Sequence, residues 1–304
     1  MNRRQFSAIS MASVVGMLGG CVSNAMNNDG GNGETKRAKG ERETGETKRG
    51  NVDRGTGKEK RTKDRSYDVS TDTVLAVHNR NGPVNVRPHD GSTVDMHAEI
   101  RANSNESLHE VSVTATNTEN ELRIVTEFDE GIRHDQATVS MDVRCPRNLV
   151  TDAVTTTNGS IEATNLVGDI EYRSRNGNLV VEDIEGTVSL TTSNGSITAK
   201  NVGGMAGAET SNGTIDIEIP SVPNDVTVEN SNGAIDAALA PGLSVELSAE
   251  TSNGPVTVHD IDVSSVEKSE HGFSGTLNDG RHSLVFETSN GSIDISSLNG
   301  DGGN

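Results

Sequence analysis

Thr192-Ser193-Asn194-Gly195-Ser196-Ile197 is one copy of a phrase that keeps returning between Thr157 and Ile295. Its Asn-Gly centre occurs at Asn158-Gly159, Asn176-Gly177, Asn194-Gly195, Asn212-Gly213, Asn232-Gly233, Asn253-Gly254 and Asn290-Gly291. The first three intervals are 18 residues, and the next are 20, 21 and 37. A fixed period of this size marks a repeat architecture. Three residues after each Asn stands Ile161, Leu179, Ile197, Ile215, Ile235, Val256 or Ile293, and five after it Ala163, Val181, Ala199, Ile217, Ala237, Val258 or Ile295. Alternation places both columns on one face of a strand. A second glycine follows ten residues after the Asn in four copies, at Gly168, Gly186, Gly204 and Gly242. Each unit therefore reads as strand, corner, strand, corner, with glycine at corners that need positive φ.

Two architectures give such a pattern. Asn-Gly is a strong hairpin signal, so an antiparallel meander fits the period. A meander of this length would exceed the ~10 strands at which open sheets curl or split. It would also need helices to cover its apolar face, and no amphipathic helix is expected after residue 66. A closed stack buries its own columns of small apolar residues, and its asparagines can form an amide ladder. The expected fold is all-β, a β-solenoid (β-helix-like) of about 18-residue coils, each stacking on the last. Composition agrees, since a chain with no Trp, two Tyr and four Phe must build a narrow core of Val, Ile, Ala and Thr.

Upstream of the repeats, period-two alternation begins at Tyr67 and runs through Val74–His78, Val84–Val86, Val94–Ile100, Val111–Ala115, Leu122–Val125 and Ala137–Val143. Asn81-Gly82-Pro83-Val84 is an outlying copy of the repeat phrase. Before this section, Val22–Ser66 lacks apolar periodicity and is rich in Gly, Asn and charge, the composition of a disordered linker. As a flexible coil it would span about 35–40 Å root-mean-square.

Met1–Gly20 has the form of an export signal: Arg3-Arg4, an apolar run Phe6–Leu18, then small residues. Arg3-Arg4-Gln5-Phe6 resembles the twin-arginine motif, although Ser7-Ala8 depart from it and leave the general secretory route open. Leu18-Gly19-Gly20-Cys21 resembles a lipobox, in which cleavage before Cys21 frees its thiol for lipid. Only Cys145 would then remain, so no intramolecular disulfide forms. Cys145 follows an alternating run and reads as a core thiol at a strand end. The domain limits that follow are 1–20 signal peptide, 21–66 lipidated Cys21 and charged linker, 67–298 solenoid, and 299–304 flexible tail.

The net charge of −19 is unevenly distributed, with +6 on residues 1–66 and −25 on 67–304. A domain this acidic repels nucleic acid and anionic membrane, and suits concentrated salt, where screening removes its self-repulsion.

With these features in view, Tyr67–Ser297 resembles the putative-adhesin β-solenoid domain family. The resemblance rests on an alternating N-terminal section ending in Val143-Arg144-Cys145-Pro146 and on repeats of the Thr192–Ile197 type. With Arg3, Arg4, Phe6 and Cys21, the whole chain resembles a haloarchaeal surface lipoprotein of that family. The resemblance implies adhesion and brings no catalytic residues with it.

The residues themselves show no catalytic constellation. Eight histidines are scattered without metal-ligand spacing, and no phosphate loop or nucleophile elbow is present. No column of the repeats is consistently acidic. No metal or cofactor is expected. Asn158, Asn194, Asn212 and Asn290 stand in glycosylation sequons but are explained by the corner; Asn105, placed in a loop, is the better candidate. The 37-residue interval holds an insertion, Asp260–Asp279, the first candidate contact surface. The expected function is a lipid-anchored adhesin or envelope scaffold on the outer face of the membrane, binding polysaccharide, S-layer or surface proteins. Two alternatives are a carbohydrate-active enzyme on the same scaffold and an envelope sensor that binds another membrane protein.

Overall fold

A computed structural model describes residues 59–129 and 136–298, with the backbone of the two-residue strand Glu41–Arg42. The export signal with Arg3, Arg4 and Phe6, the lipidation residue Cys21 and the tail 299–304 lie outside the described residues. The fold is all-β. Among the described residues the one helix is Asn105–His109, five residues long and capped by the Ser104 side chain, which accepts from the Ser107 amide. It stands where the sequence reading placed a loop and no helix. Ser104 captures an orphan amide, and Leu108 buries its side chain.

Successive copies of the repeat pair in parallel, which a hairpin meander cannot do. Ile161 lies beside Leu179, Leu179 beside Ile197, and Ile197 beside Ile215. The strands that precede each Asn-Gly form a second parallel ladder, in which Tyr172 lies beside Leu190 and Leu190 beside Ala208. Each rung thus contributes one strand to either ladder, joined at the Asn-Gly corner. The apolar columns of the two ladders fill one continuous core that takes in Leu75 and Val77 as well as Phe286, Ala249 and Val256. Its side chains are small or medium, as the scarcity of aromatics requires. The outlying Asn81-Gly82 copy is a rung as well, with Asn81 bridged to Asn158 and Val84 beside Ile161.

Rung order departs from sequence order at the far end. The rung of Asn253 does not stack on that of Asn232. His282–Asn290 lies between them, pairing with Val226–Asn232 on one edge and with Val245–Asn253 on the other. Ile293–Ser297 likewise separates Ile235–Leu239 from Val256–Val258. The expectation that each unit stacks on the last therefore fails at the Asn253 unit, which is separated from the Asn232 unit by the later Asn290 unit. The cause is the 260–279 insertion, which is a β-hairpin rather than a loop. Gly272–Leu277 pairs antiparallel with Val245–Asn253 and Ser264–Lys268 pairs with Gly272–Leu277, so the hairpin covers one edge of that rung and leaves the other for the chain's last residues.

The opposite end is closed by antiparallel strands. Glu59–Asp68 pairs with Thr93–Ala102, which pairs with Ala137–Pro146. The last eight residues assigned to the linker, 59–66, are thus strand. Composition misleads here because the charges of this strand cap an edge. Arg61 donates to the Val111 carbonyl and Lys63 to that of Val113, at 2.6 Å for the lysine. Cationic side chains on a sheet edge both satisfy its carbonyls and deter further pairing.

Candidate functional site

The Asn-Gly corner is built from four consecutive residues, each with a separate task. The first points inward, and its side chain donates to the carbonyl of a corner glycine in the adjacent rung. Thr192 reaches Gly177 at 3.0 Å, Thr210 reaches Gly195 at 2.9 Å, Thr251 reaches Gly291 at 3.0 Å, and Asn230 reaches Gly213 at 2.8 Å. These side chains are buried, where an unpaired glycine carbonyl would be costly. The second residue, Ser193, Ser211, Ser231, Ser289 or Ser252, faces outward.

The third residue forms an uninterrupted side-chain amide ladder. Asn176 donates to Asn158 at 2.6 Å, Asn194 to Asn176 at 2.8 Å, Asn212 to Asn194 at 2.9 Å and Asn232 to Asn212 at 3.2 Å. It continues in rung order, Asn290 donating to Asn232 at 3.0 Å and Asn253 to Asn290 at 3.1 Å. The fourth residue must be glycine for a reason that sequence did not show. A Cβ on Gly195 would come within 3.0 Å of the Gly177 carbonyl oxygen, closer than real Cβ atoms approach backbone. Positive φ adds to this at Gly159, Gly177, Gly213, Gly233 and Gly254, where it lies between 146° and 157°. Of the second glycines, Gly168 and Gly186 have φ of 133° and 139°, whereas Gly204 and Gly242 are not in that region. At the second corner the left-handed position is held instead by Asn165, Asp183 and Asn201, with φ of 56°, 56° and 51°. Asparagine and aspartate tolerate that conformation better than other side chains.

Carboxylates flank this corner on both sides. Three residues before the Asn, Glu209, Glu229, Glu287 and Glu250 occupy neighbouring rungs in one exposed column. Four residues after it, Asp216, Asp236 and Asp294 form another. Adjacent strands lie about 4.8 Å apart, so each column holds like charges at closest strand spacing. Such contacts destabilise a sheet. In sequence order Thr257 interrupts the aspartates; only the exchanged rung order makes them contiguous. The glutamates, by contrast, stand in four successive units along the chain, so that column was legible in the sequence and the expectation of no acidic column missed it.

The ends of the aspartate column carry basic side chains. Lys200 pairs with Asp216 at 2.7 Å, and the two ring nitrogens of His259 face Asp260 at 3.0 Å and Asp294 at 2.9 Å. Those carboxylates raise the His259 pKa, Asp260 first and Asp294 next. Desolvation raises the Asp236 carboxyl, reinforced by Asp294 and then Asp216. Among the described residues no group of three or more His, Cys, Asp or Glu has a metal-holding arrangement. Cys145 is buried and its thiol is pushed up to about 11 by desolvation, the setting of an inert core residue. Asn105 is exposed in the first turn of the short helix. In the insertion, Phe273 is buried while Lys268 and His271 are exposed.

The Toastrack DUF4097 family model matches residues 132–296, more than half of the chain. The protein belongs to that family. No curated protein matches it. Among solved structures it is similar to a "putative cell adhesion protein" from Clostridium sporogenes, at 12% identity and a TM-score of 0.33, over 78% of this chain and 99% of that one. A "putative adhesin" from Bacteroides fragilis shows 14% identity and a TM-score of 0.33, covering 77% and 96%. Another "putative adhesin", from Parabacteroides distasonis, shows 11% identity and a TM-score of 0.36, again covering 77% and 96%.

Proposed function

We propose that this protein is a non-catalytic surface module: a β-solenoid held at the outer face of the membrane by lipid on Cys21, binding the cell envelope through its Asn-Gly corner. The in-register parallel rungs support the solenoid reading. One observation carries the binding reading, the amide ladder running unbroken through seven rungs with carboxylate columns on either side. Stacked like charges cost stability, and sequences retain such costs where a surface has work to do. The strip offers hydroxyl, amide and carboxylate groups at a repeat of about 4.8 Å, suited to a regular polymer or an ordered protein layer. Its sign repels nucleic acid and anionic headgroups. Haloarchaeal origin and twin-arginine export belong to the same proposal, on the charge pattern and on Arg3, Arg4 and Phe6.

Fractionation of the native host tests the anchor, and envelope binding tests the strip. Wild type is expected in the membrane fraction and Cys21→Ser in the medium. The released chain should bind isolated envelopes, and Glu229→Gln with Glu287→Gln and Asp236→Asn should weaken that binding several-fold with unchanged circular dichroism. Wild type found in the cytosol would sink the anchor, and undiminished envelope binding by the triple variant would sink the strip.

A further inference from the structure

The exchanged rung order makes the C-terminal rung a separable piece. Residues 245–277 pair with the rest of the stack only through His282–Asn290 and Ile293–Ser297, among the described strand pairings. In chain order the outer rung and its hairpin precede the rung that lies beneath them. The outer rung and the rung of Asn232 are thus the two walls of the slot that residues 282–297 fill.

Both walls of the slot are specific for what fills it. Asn290 donates to Asn232 on one wall and accepts from Asn253 on the other, at 3.0 and 3.1 Å. Thr288 donates to the Gly233 carbonyl at 3.2 Å, and the Gly291 carbonyl accepts from Thr251 at 3.0 Å. Phe286 seals the core between Val228 and Ala249. The connection into the slot is short and bent. Asn278 and Gly280 both have left-handed φ, 50° and 61°, and Asn278 is tied to the Leu243 carbonyl at 2.6 Å. Short, constrained connections before a terminal element favour its exchange between copies.

We infer that residues 282–297 act as a donor rung that fills the same slot in a second copy of this chain, producing a reciprocal dimer. Every contact of Phe286, Thr288, Asn290 and Gly291 named above is then made to the second copy, and the connection around Asn278–Arg281, with the Asn278 contact to Leu243, changes conformation. Two acidic stacks would be joined through their far ends, doubling the length of corner presented.

The test uses full-length chains in a Cys21→Ser background. Ser231 and Ser289 lie side by side in neighbouring rungs, since Asn230 pairs with Thr288 and Asn232 with Asn290. Strand spacing of about 4.8 Å lies within the range a disulfide bridges. A chain carrying both Ser231→Cys and Ser289→Cys should link within itself; failure to do so would overturn the rung order. Equimolar Ser231→Cys and Ser289→Cys chains are then refolded together from denaturant across a range of concentrations. Disulfide-linked dimers pairing one variant with the other are expected, increasing with concentration. Ser211→Cys with Ser231→Cys, whose rungs are consecutive in sequence, should give several-fold fewer. Equal linking in the two mixtures, or no linking between copies in the first, would overturn the proposal.

Discussion

At the scale of the residue, Thr-Ser-Asn-Gly is a division of labour within one corner. The buried hydroxyl holds a glycine carbonyl, the amide joins the ladder, and the missing Cβ lets the neighbouring carbonyl approach. The tightness of that approach gives a sharp expectation. Gly195→Ala should lower stability by about 1–3 kcal/mol or more, since the obstacle is backbone and cannot step aside. Ser211→Ala, one exposed position away from the Asn column, should stay within about 0.5 kcal/mol. Urea unfolding midpoints of the two variants decide the matter; an equal, small shift would show that rungs separate more easily than the glycine column implies. The corner was legible as a corner because Asn-Gly announces a turn. The contact that demands glycine was not, because it joins residues 18 apart through a distance that only stacking creates.

At the scale of the element, the ends of the ladders govern what sequence patterning could and could not show. Interior strands alternate cleanly, since one face meets the core. End strands answer to a different need, covering unpaired edges, and their composition follows that need. Glu59–Asp68 is charged because Arg61 and Lys63 occupy the edge carbonyls of Val111 and Val113. At the other end Val256–Val258 is only three residues long, and His259 fastens the chain just beyond it to Asp294. The pKa of His259 is raised in the fold, so its contribution is fully present below the ordinary histidine pKa and lost as pH rises through the raised value. Asp236 is also raised, and its ionisation removes stability at lower pH in the same direction. Burial depresses the His78 pKa, which works the other way and adds stability as pH rises through the ordinary histidine range. Thermal midpoints should therefore fall from about pH 7 to pH 8.5, more steeply in wild type than in His259→Gln. Parallel curves would mean the histidine contributes nothing to holding the last rung.

At the scale of the whole molecule, the dominant fact is charge. Residues 67–304 carry a net −25, and the rung order gathers part of it into columns at strand spacing. The screening length falls from about 10 Å at 0.1 M salt to about 3 Å at 1 M, below the spacing of neighbouring rungs. Raising salt over that range should raise the thermal midpoint of wild type. Glu229→Gln with Glu287→Gln should be more stable at low salt and less responsive to added salt. A midpoint indifferent to salt would show that the columns are relieved by some other means, and would remove the physical case for a salt-rich habitat.

The sequence alone determined the unit of this fold. Period, apolar columns and Asn-Gly corners are local properties, and local chemistry writes them directly into the chain. It also determined that the core would be narrow and the surface acidic, because composition leaves no other material. Only the tertiary structure decided the order in which units stack. Rungs with matching columns fit one another almost interchangeably, so nothing in the repeat itself says that Asn290 belongs between Asn232 and Asn253. That choice was made by the hairpin at 260–279, which occupies one edge of its rung and leaves the other open. From it follow the contiguous aspartates, the anchorage of His259 and the donor rung, all contacts between residues that the chain keeps far apart.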